Sequence, residues 1–229
     1  MENYKDDIIS SRLGCLGSSD GNLLRRIAAL GYVPKSEYKR LAVCKGLIEQ
    51  EDIPRTAAVK AGDEMEMLIY NHLKANDPRY ESNPRWESLR YAYKNVRLIS
   101  HPDLVLKDDA RKTLYIYEVK TTKYGVEETR QMYKSQLFIH YVIGKEIASS
   151  YGNDWKVKLF LVHYNTEGLD LVNDELTLDV SRLTVKETRF TSVLYFNIEK
   201  AMRLVNDFLE TFTEYYEGDE VNADMLPEP

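Results

Sequence analysis

HPDLVLKDDARKTLYIYEVKTT, residues 101–122, reads as two strands with a turn at Lys107–Lys112. Side chains two apart on a strand share a face. Asp103 falls on the first strand. Glu118 and Lys120 fall on the second, on one face with Leu114 and Ile116, while Tyr115, Tyr117 and Val119 take the other. Both faces are largely apolar, which predicts a central strand covered on both sides. An acid and an amine at the end of such a strand are costly to bury without a partner or a metal.

Outward from this hairpin the elements alternate. A strand is expected at Tyr91–Ser100 before it, and a helix at Glu127–Gly144, ended by the glycine, after it. That helix carries Gln136 on the face of Met132, Ile139 and Ile143, where an amide must find hydrogen-bond partners. Upstream, a helix at Thr56–Leu73 has the apolar stripe Ala61, Met65, Leu68, Ile69 and His72. Glu64 and Glu66 flank that stripe on opposite sides, and periodicity does not choose between them.

Downstream, Trp155–Tyr164 alternates as a strand, and Asp170–Val180 and Leu183–Thr188 read as further short strands or a hairpin. A long amphipathic helix is expected at Tyr195–Tyr216, with Ile198, Met202, Val205, Leu209 and Phe212 inward, before a tail running to Pro229. This order predicts an α/β (α+β) fold, a central mixed sheet flanked by helices. With no internal repeat or low-complexity linker, a single domain over 1–229 is the simplest parse.

Near the N-terminus, Ser18, Ser19 and Asp20 are caps for a helix through Asn22–Leu30, which Gly31 ends; another short helix is expected at 36–50. Free N–H groups at a helix start favour anions, so with Arg12 nearby this is a candidate phosphate grip. Ser and Asp before a helix are more often only caps.

Composition bounds the partners. The chain is 43% hydrophobic and 30% charged, and no apolar run approaches a membrane span. Its polar, acidic start is not a signal peptide, and Cys15 and Cys44 are the only cysteines. A reduced, cytoplasmic protein is the expectation. The net charge of −6 argues against a broad nucleic-acid surface. The acids concentrate in the C-terminal helix and tail, about 195–229, whereas the first sixty residues lean slightly basic, with Arg25, Arg26, Lys39, Arg40 and Lys45. A local basic groove is compatible with that pattern, although charge alone favours two ordinary solvated faces.

Carboxylates from adjacent strands, Asp103 and Glu118, can converge on one hard cation such as Mg2+, which takes oxygen ligands. A lysine beside them can orient water or offset developing negative charge, and a phosphodiester is the substrate that needs this most. The competing reading is a surface ion pair on an edge strand, against which the apolar flanks count.

Pro102-Asp103 followed by Glu118-Val119-Lys120 resembles the signature of the PD-(D/E)XK nuclease superfamily. Three further elements resemble its phage lambda-type exonuclease (YqaJ-like viral recombinase) family. They are the G-x-x-x-E start of Gly62–Glu66, which selects Glu66; Gln136 on the following helix; and Arg12 to Asp20, an R-x-G-x-x-x-x-S-D/E element. The resemblance covers roughly residues 10–165. It implies a restriction-endonuclease-like core in which Asp103 and Glu118 ligate Mg2+ (Mn2+ substituting), with the Val119 carbonyl as a further oxygen. It implies that Lys120 activates the attacking water, Glu66 supports the metal and Gln136 orients Lys120 or a water. In an N-terminal phosphate-binding helical region, about 10–55, Arg12 and Ser19 would hold a DNA 5′-phosphate.

The implied activity is processive 5′→3′ degradation of linear duplex DNA in phage or prophage recombination. The implied setting is the bacterial host cytoplasm, the implied partner a single-strand annealing protein, and the implied assembly a ring-shaped trimer. Leu104 and His101 stand where the family usually has a glycine and often a serine. His101 is expected on the same strand face as Asp103, which makes it a candidate contact to a phosphate or a metal-bound water, though more often such a histidine only bonds locally. The alternatives are a RecB-like, CRISPR-associated or restriction-type nuclease, or a non-catalytic DNA-binding subunit on the same fold. Two cysteines cannot hold an iron–sulfur cluster.

Overall fold

Caps, tight turns and self-bonded loops set the element boundaries in the computed structural model, which describes residues 14–45, 56–94, 96–190 and 196–214. Strand β1 (Cys15–Gly17) runs through a 3-10 turn, Ser18–Asp20, into α1 (Gly21–Leu30). Gly31 closes α1 at φ 83°, the left-handed conformation in which glycine is favoured, and its N–H donates to the Ile27 carbonyl. Asp20 does not cap α1 through its side chain; its carboxylate accepts from Gly17 N at 2.7 Å and pairs with Arg40. Helix α2 covers Tyr38–Lys45, and the rest of the helix expected to residue 50 lies outside the described residues.

Helix α3 (Ala57–Asn76) starts where Thr56 Oγ1 accepts from Val59 N at 3.3 Å. Short strands β2 (Glu81–Ser82) and β3 (Trp86–Glu87) lead to β4 (Arg97–Ser100). The strand expected from Tyr91 is shortened because Tyr93 and Val96 bond each other reciprocally, at 2.9 and 2.8 Å, in a tight turn. Strands β5 (Leu104–Asp108) and β6 (Thr113–Thr122) follow, then α4 (Val126–Met132), α5 (Lys134–Tyr151), β7 (Lys156–Asn165), β8 (Leu183–Thr188) and α6 (Ile198–Glu214). No strand forms at 170–180: the Asp170 carboxylate accepts from the backbone of Val172 and Asn173 and bends the chain into a local turn. Residue 195, the side chain of Phe212 and the tail from 215 lie outside the described residues. Among those described, no helix is long and apolar enough to cross a membrane.

The chain divides into two compact units. The first comprises Met1–Glu51, Glu87–Ile99 and Tyr195–Pro229. Its small sheet has the order β1–β4–β3, with β1 and β4 parallel. In it α6 buries Ile198, Met202, Val205 and Leu209 on one face; Tyr38 stacks on Phe208, ring centroids 4.4 Å apart.

The second unit comprises Asp52–Trp86 and Ser100–Leu194. Its sheet has the order β2–β5–β6–β7–β8. β5 pairs antiparallel with β6, β6 parallel with β7 over ten residues, and β7 antiparallel with β8. A parallel pair needs a crossover, here α4 and α5. Strand β6 is therefore central, and the sheet is mixed and flanked by helices, the α/β class expected from the sequence.

Each face of β6 meets a helix. Val119 packs in a buried cluster with Met65, Ile69 and Tyr70 of α3. On the other face Ile116 meets α5 at Gly144, where an added Cβ would clash with Ile116 Cδ1. Gly144 was expected to end its helix. It lies inside α5 instead, and its missing side chain lets helix and strand approach closely; the helix runs on to Tyr151. Met132, expected inward, ends α4 and is exposed.

Candidate active site

The acids gather where β6 outruns β5. The last β5–β6 pair is Leu104 with Tyr117, so beyond it this edge of β6 has no strand partner among the described residues. Asp103 precedes β5 by one residue rather than lying within it. Its Oδ2 accepts from Val119 N at 2.6 Å, replacing the absent ladder bond. The N–H and C=O of one strand residue point to the same edge, so the Val119 carbonyl also faces the Asp103 side.

Glu118 is 1% exposed, and α5 reaches both of its oxygens. Oε1 accepts from Lys120 Nζ and from Gln136 Nε2, each at 2.6 Å. Oε2 lies 3.0 Å from His140 Nε2, and neither atom has any other hydrogen-bond partner. His140 Nδ1 is 2.6 Å from Ser100 Oγ. Lys120 also sits over the Tyr133 ring, 4.9 Å from its centroid.

Helix α3 completes the group. Glu66 is half-buried and interacts electrostatically with Lys120 and Glu118, while Glu64 is exposed. One turn on, the buried Tyr70 hydroxyl hydrogen-bonds to Asp103. At the start of this helix Gly62 approaches Thr121.

Burial and charge split these acids apart. Burial works against ionising Glu118, yet Lys120 and then His140 outweigh it and hold its carboxyl down at about 2. Burial, then the Glu118 charge, pushes Asp103 well above the usual carboxylate range, against Lys120 and the Val119 N–H. Burial pushes Glu66 up to about 7, opposed by Lys120 and reinforced by Glu118 and Asp63. For Lys120, burial favours loss of the proton, but Glu118 and Asp103 win and raise it above its ordinary range. Lys120 is thus a firmly charged ammonium in this arrangement.

Asp103, Glu118, Lys120, Gln136 and Glu66 stand together in one unit. His101 is exposed in the β4–β5 connection and shares no strand face with Asp103. Ser19 is exposed in the first unit, in the turn before α1, and Arg12 lies outside the described residues. Sequence reasoning missed Tyr70, His140 and Ser100. Two of them had a signal: Tyr70 follows Glu66 by four residues and His140 follows Gln136 by four, a same-face spacing on a helix. Ser100 had none, because its approach to α5 is tertiary.

As a donor set the site is oxygen-rich: two strand carboxylates, a backbone carbonyl on their edge and a helix carboxylate. Among the described residues, no group of three or more His, Cys, Asp or Glu side chains forms a ready metal cage. A cation that keeps several waters and takes one or two carboxylates does not need one.

No protein-family model matches the chain, and no curated protein matches it significantly. Solved structures do. An alkaline exonuclease from Laribacter hongkongensis is similar at TM-score 0.57 and 14% identity, over 92% of this chain and 95% of that one. A phage-related exonuclease from Haemophilus somnus 129PT is similar at TM-score 0.54 and 12% identity, over 91% of this chain and 99% of that one. At such identities the likeness is one of fold, and it extends over nearly the whole chain.

Proposed function

We propose that this chain is a metal-dependent nuclease, a Mg2+-requiring exonuclease that hydrolyses phosphodiesters at the ends of linear duplex DNA. The observation that carries this reading is the convergence of Asp103, Glu118 and Lys120 at the open edge of β6, with Glu66 reaching in from α3. The two exonucleases of like fold support it. Three acids share the site with one ammonium, so it is short of positive charge, and a divalent cation makes up the deficit. Asp103, Glu118 and the Val119 carbonyl would hold Mg2+, with Glu66 in support; the ion would supply neutralising charge to the scissile phosphate.

The chain's own groups do the rest. Lys120, charged and held by Glu118, offers an N–H donor to an attacking water or to a non-bridging phosphate oxygen. Gln136 fixes the carboxylate that fixes Lys120. The Val119 N–H and the Tyr70 hydroxyl hold Asp103. Polarity of 5′→3′, with Arg12 and Ser19 gripping the 5′-phosphate, and a role in phage recombination beside an annealing protein belong to the same proposal.

The test compares linear duplex with covalently closed circular DNA, in Mg2+ and in EDTA. Mg2+-dependent loss of the linear substrate alone is the expected result. Cleavage of the closed circle would point to an endonuclease, and binding without hydrolysis in Mg2+ or Mn2+ to a non-catalytic subunit.

A further inference from the structure

Ser100, His140 and Glu118 form a buried row behind the site, 0%, 0% and 1% exposed. No water-facing surface is left to hydrate them, so their polar atoms must be arranged among themselves. The Ser100 hydroxyl is 2.6 Å from His140 Nδ1, and His140 Nε2 is 3.0 Å from Glu118 Oε2. Of the two neutral imidazole tautomers, one turns a lone pair toward a carboxylate oxygen, which is repulsive. The other, like the protonated ring, puts an N–H at Nε2 3.0 Å from Glu118 Oε2, which is attractive, and as a neutral ring it accepts the Ser100 O–H at Nδ1.

Gln136 and His140 are four residues apart on α5. One reaches each oxygen of the same carboxylate, Gln136 at Oε1 and His140 at Oε2. A core histidine with a purely packing role would have no reason to aim an otherwise unpartnered nitrogen at the acid that also holds Lys120. We propose that His140, locked in its Nε2–H tautomer by Ser100, is a positioning residue that fixes which oxygen of Glu118 faces the site. This rests on Glu118 being a metal ligand, as in the proposed function.

Mn2+ binding to the full chain, followed by electron paramagnetic resonance without DNA, tests it. His140→Leu, which leaves Oε2 against carbon, is expected to weaken Mn2+ binding about ten- to a hundredfold. His140→Gln, whose amide N–H can replace the Nε2–H, is expected to stay within about threefold of the unsubstituted protein, and Ser100→Ala to fall between. Rate at saturating metal should change far less than metal affinity in all three. Unaltered Mn2+ affinity in folded His140→Leu overturns the proposal, as does a His140→Gln variant no better than His140→Leu. A second measurement needs no substitution: 15N shifts of the His140 ring should show the Nε2–H tautomer, and the Nδ1–H tautomer overturns the proposal. If the unsubstituted protein binds no Mn2+, the nuclease reading fails at its root and the positioning role goes with it.

Discussion

Glu118 is a carboxylate kept ionised in a place that disfavours charge. Exposed pairs such as Arg90 with Glu199 contribute about 0–1 kcal/mol. The Glu118–Lys120 pair is of another kind, with side chains only 2% and 17% exposed. Removing one partner strands a buried charge, so Lys120→Met should destabilise the fold by about 3–5 kcal/mol in urea denaturation. The double variant Glu118→Gln/Lys120→Met should recover much of that loss; no recovery would mean that the pair is not the source. Glu66 gives a signed pH effect. Its folded carboxyl sits at about 7 against an ordinary value of 4.5, so between those pH values the folded chain keeps a proton that the unfolded chain releases. This group's contribution therefore falls as pH rises through that window, and its penalty is complete above it. Glu66→Gln removes the penalty, so its denaturation midpoint in EDTA should gain on the unsubstituted protein more at about pH 8 than at about pH 5. An equal difference at both would contradict the assignment.

At the scale of elements, the sequence was most legible where one period ran long. The ten-residue β6 announced itself by two apolar faces, α3 by its stripe, and α1 by its terminal glycine. It misled where tertiary contact overrode local grammar. Gly144 looks like a helix stop, but it is the point where α5 touches Ile116. Alanine normally favours a helix over glycine by about 0.5–1 kcal/mol. Here the added methyl must displace a fully buried isoleucine, and overpacking of that kind costs about 1–3 kcal/mol. Gly144→Ala should therefore lower stability by about 1–2 kcal/mol, and Ile116→Val in the same chain should relieve part of it. A stabilised Gly144→Ala protein would mean that the close approach does not constrain α5. Of the candidate site, residues with a chemical reason to stand in a strand or an apolar stripe were legible: Glu118, Lys120 and Gln136. Asp103 was legible by type and misplaced by one residue, because a strand's end depends on its partner. The Ser100–His140 support was not legible, since helix-to-strand contacts leave no local period.

At the scale of the whole molecule, the two units carry separable parts of the proposal. The second holds the acids and Lys120; the first holds Ser19 in the turn before α1. If Ser19 helps grip a DNA terminus, Ser19→Ala should narrow the rate difference between 5′-phosphorylated and 5′-hydroxyl duplex ends about tenfold, with stability unchanged, as one lost phosphate hydrogen bond would. An undiminished preference would remove that residue from end recognition without touching the metal chemistry. The central claim concerns the chemistry itself. Its most direct measurement is a time course of Mg2+-dependent release of nucleotides from end-labelled linear duplex DNA by the unsubstituted protein and by the isosteric variants Asp103→Asn and Glu118→Gln, each shown to be folded. Steady release by the first and at least about a hundredfold loss in both variants are expected; release by either variant at the unsubstituted rate would remove Asp103 and Glu118 from the chemistry.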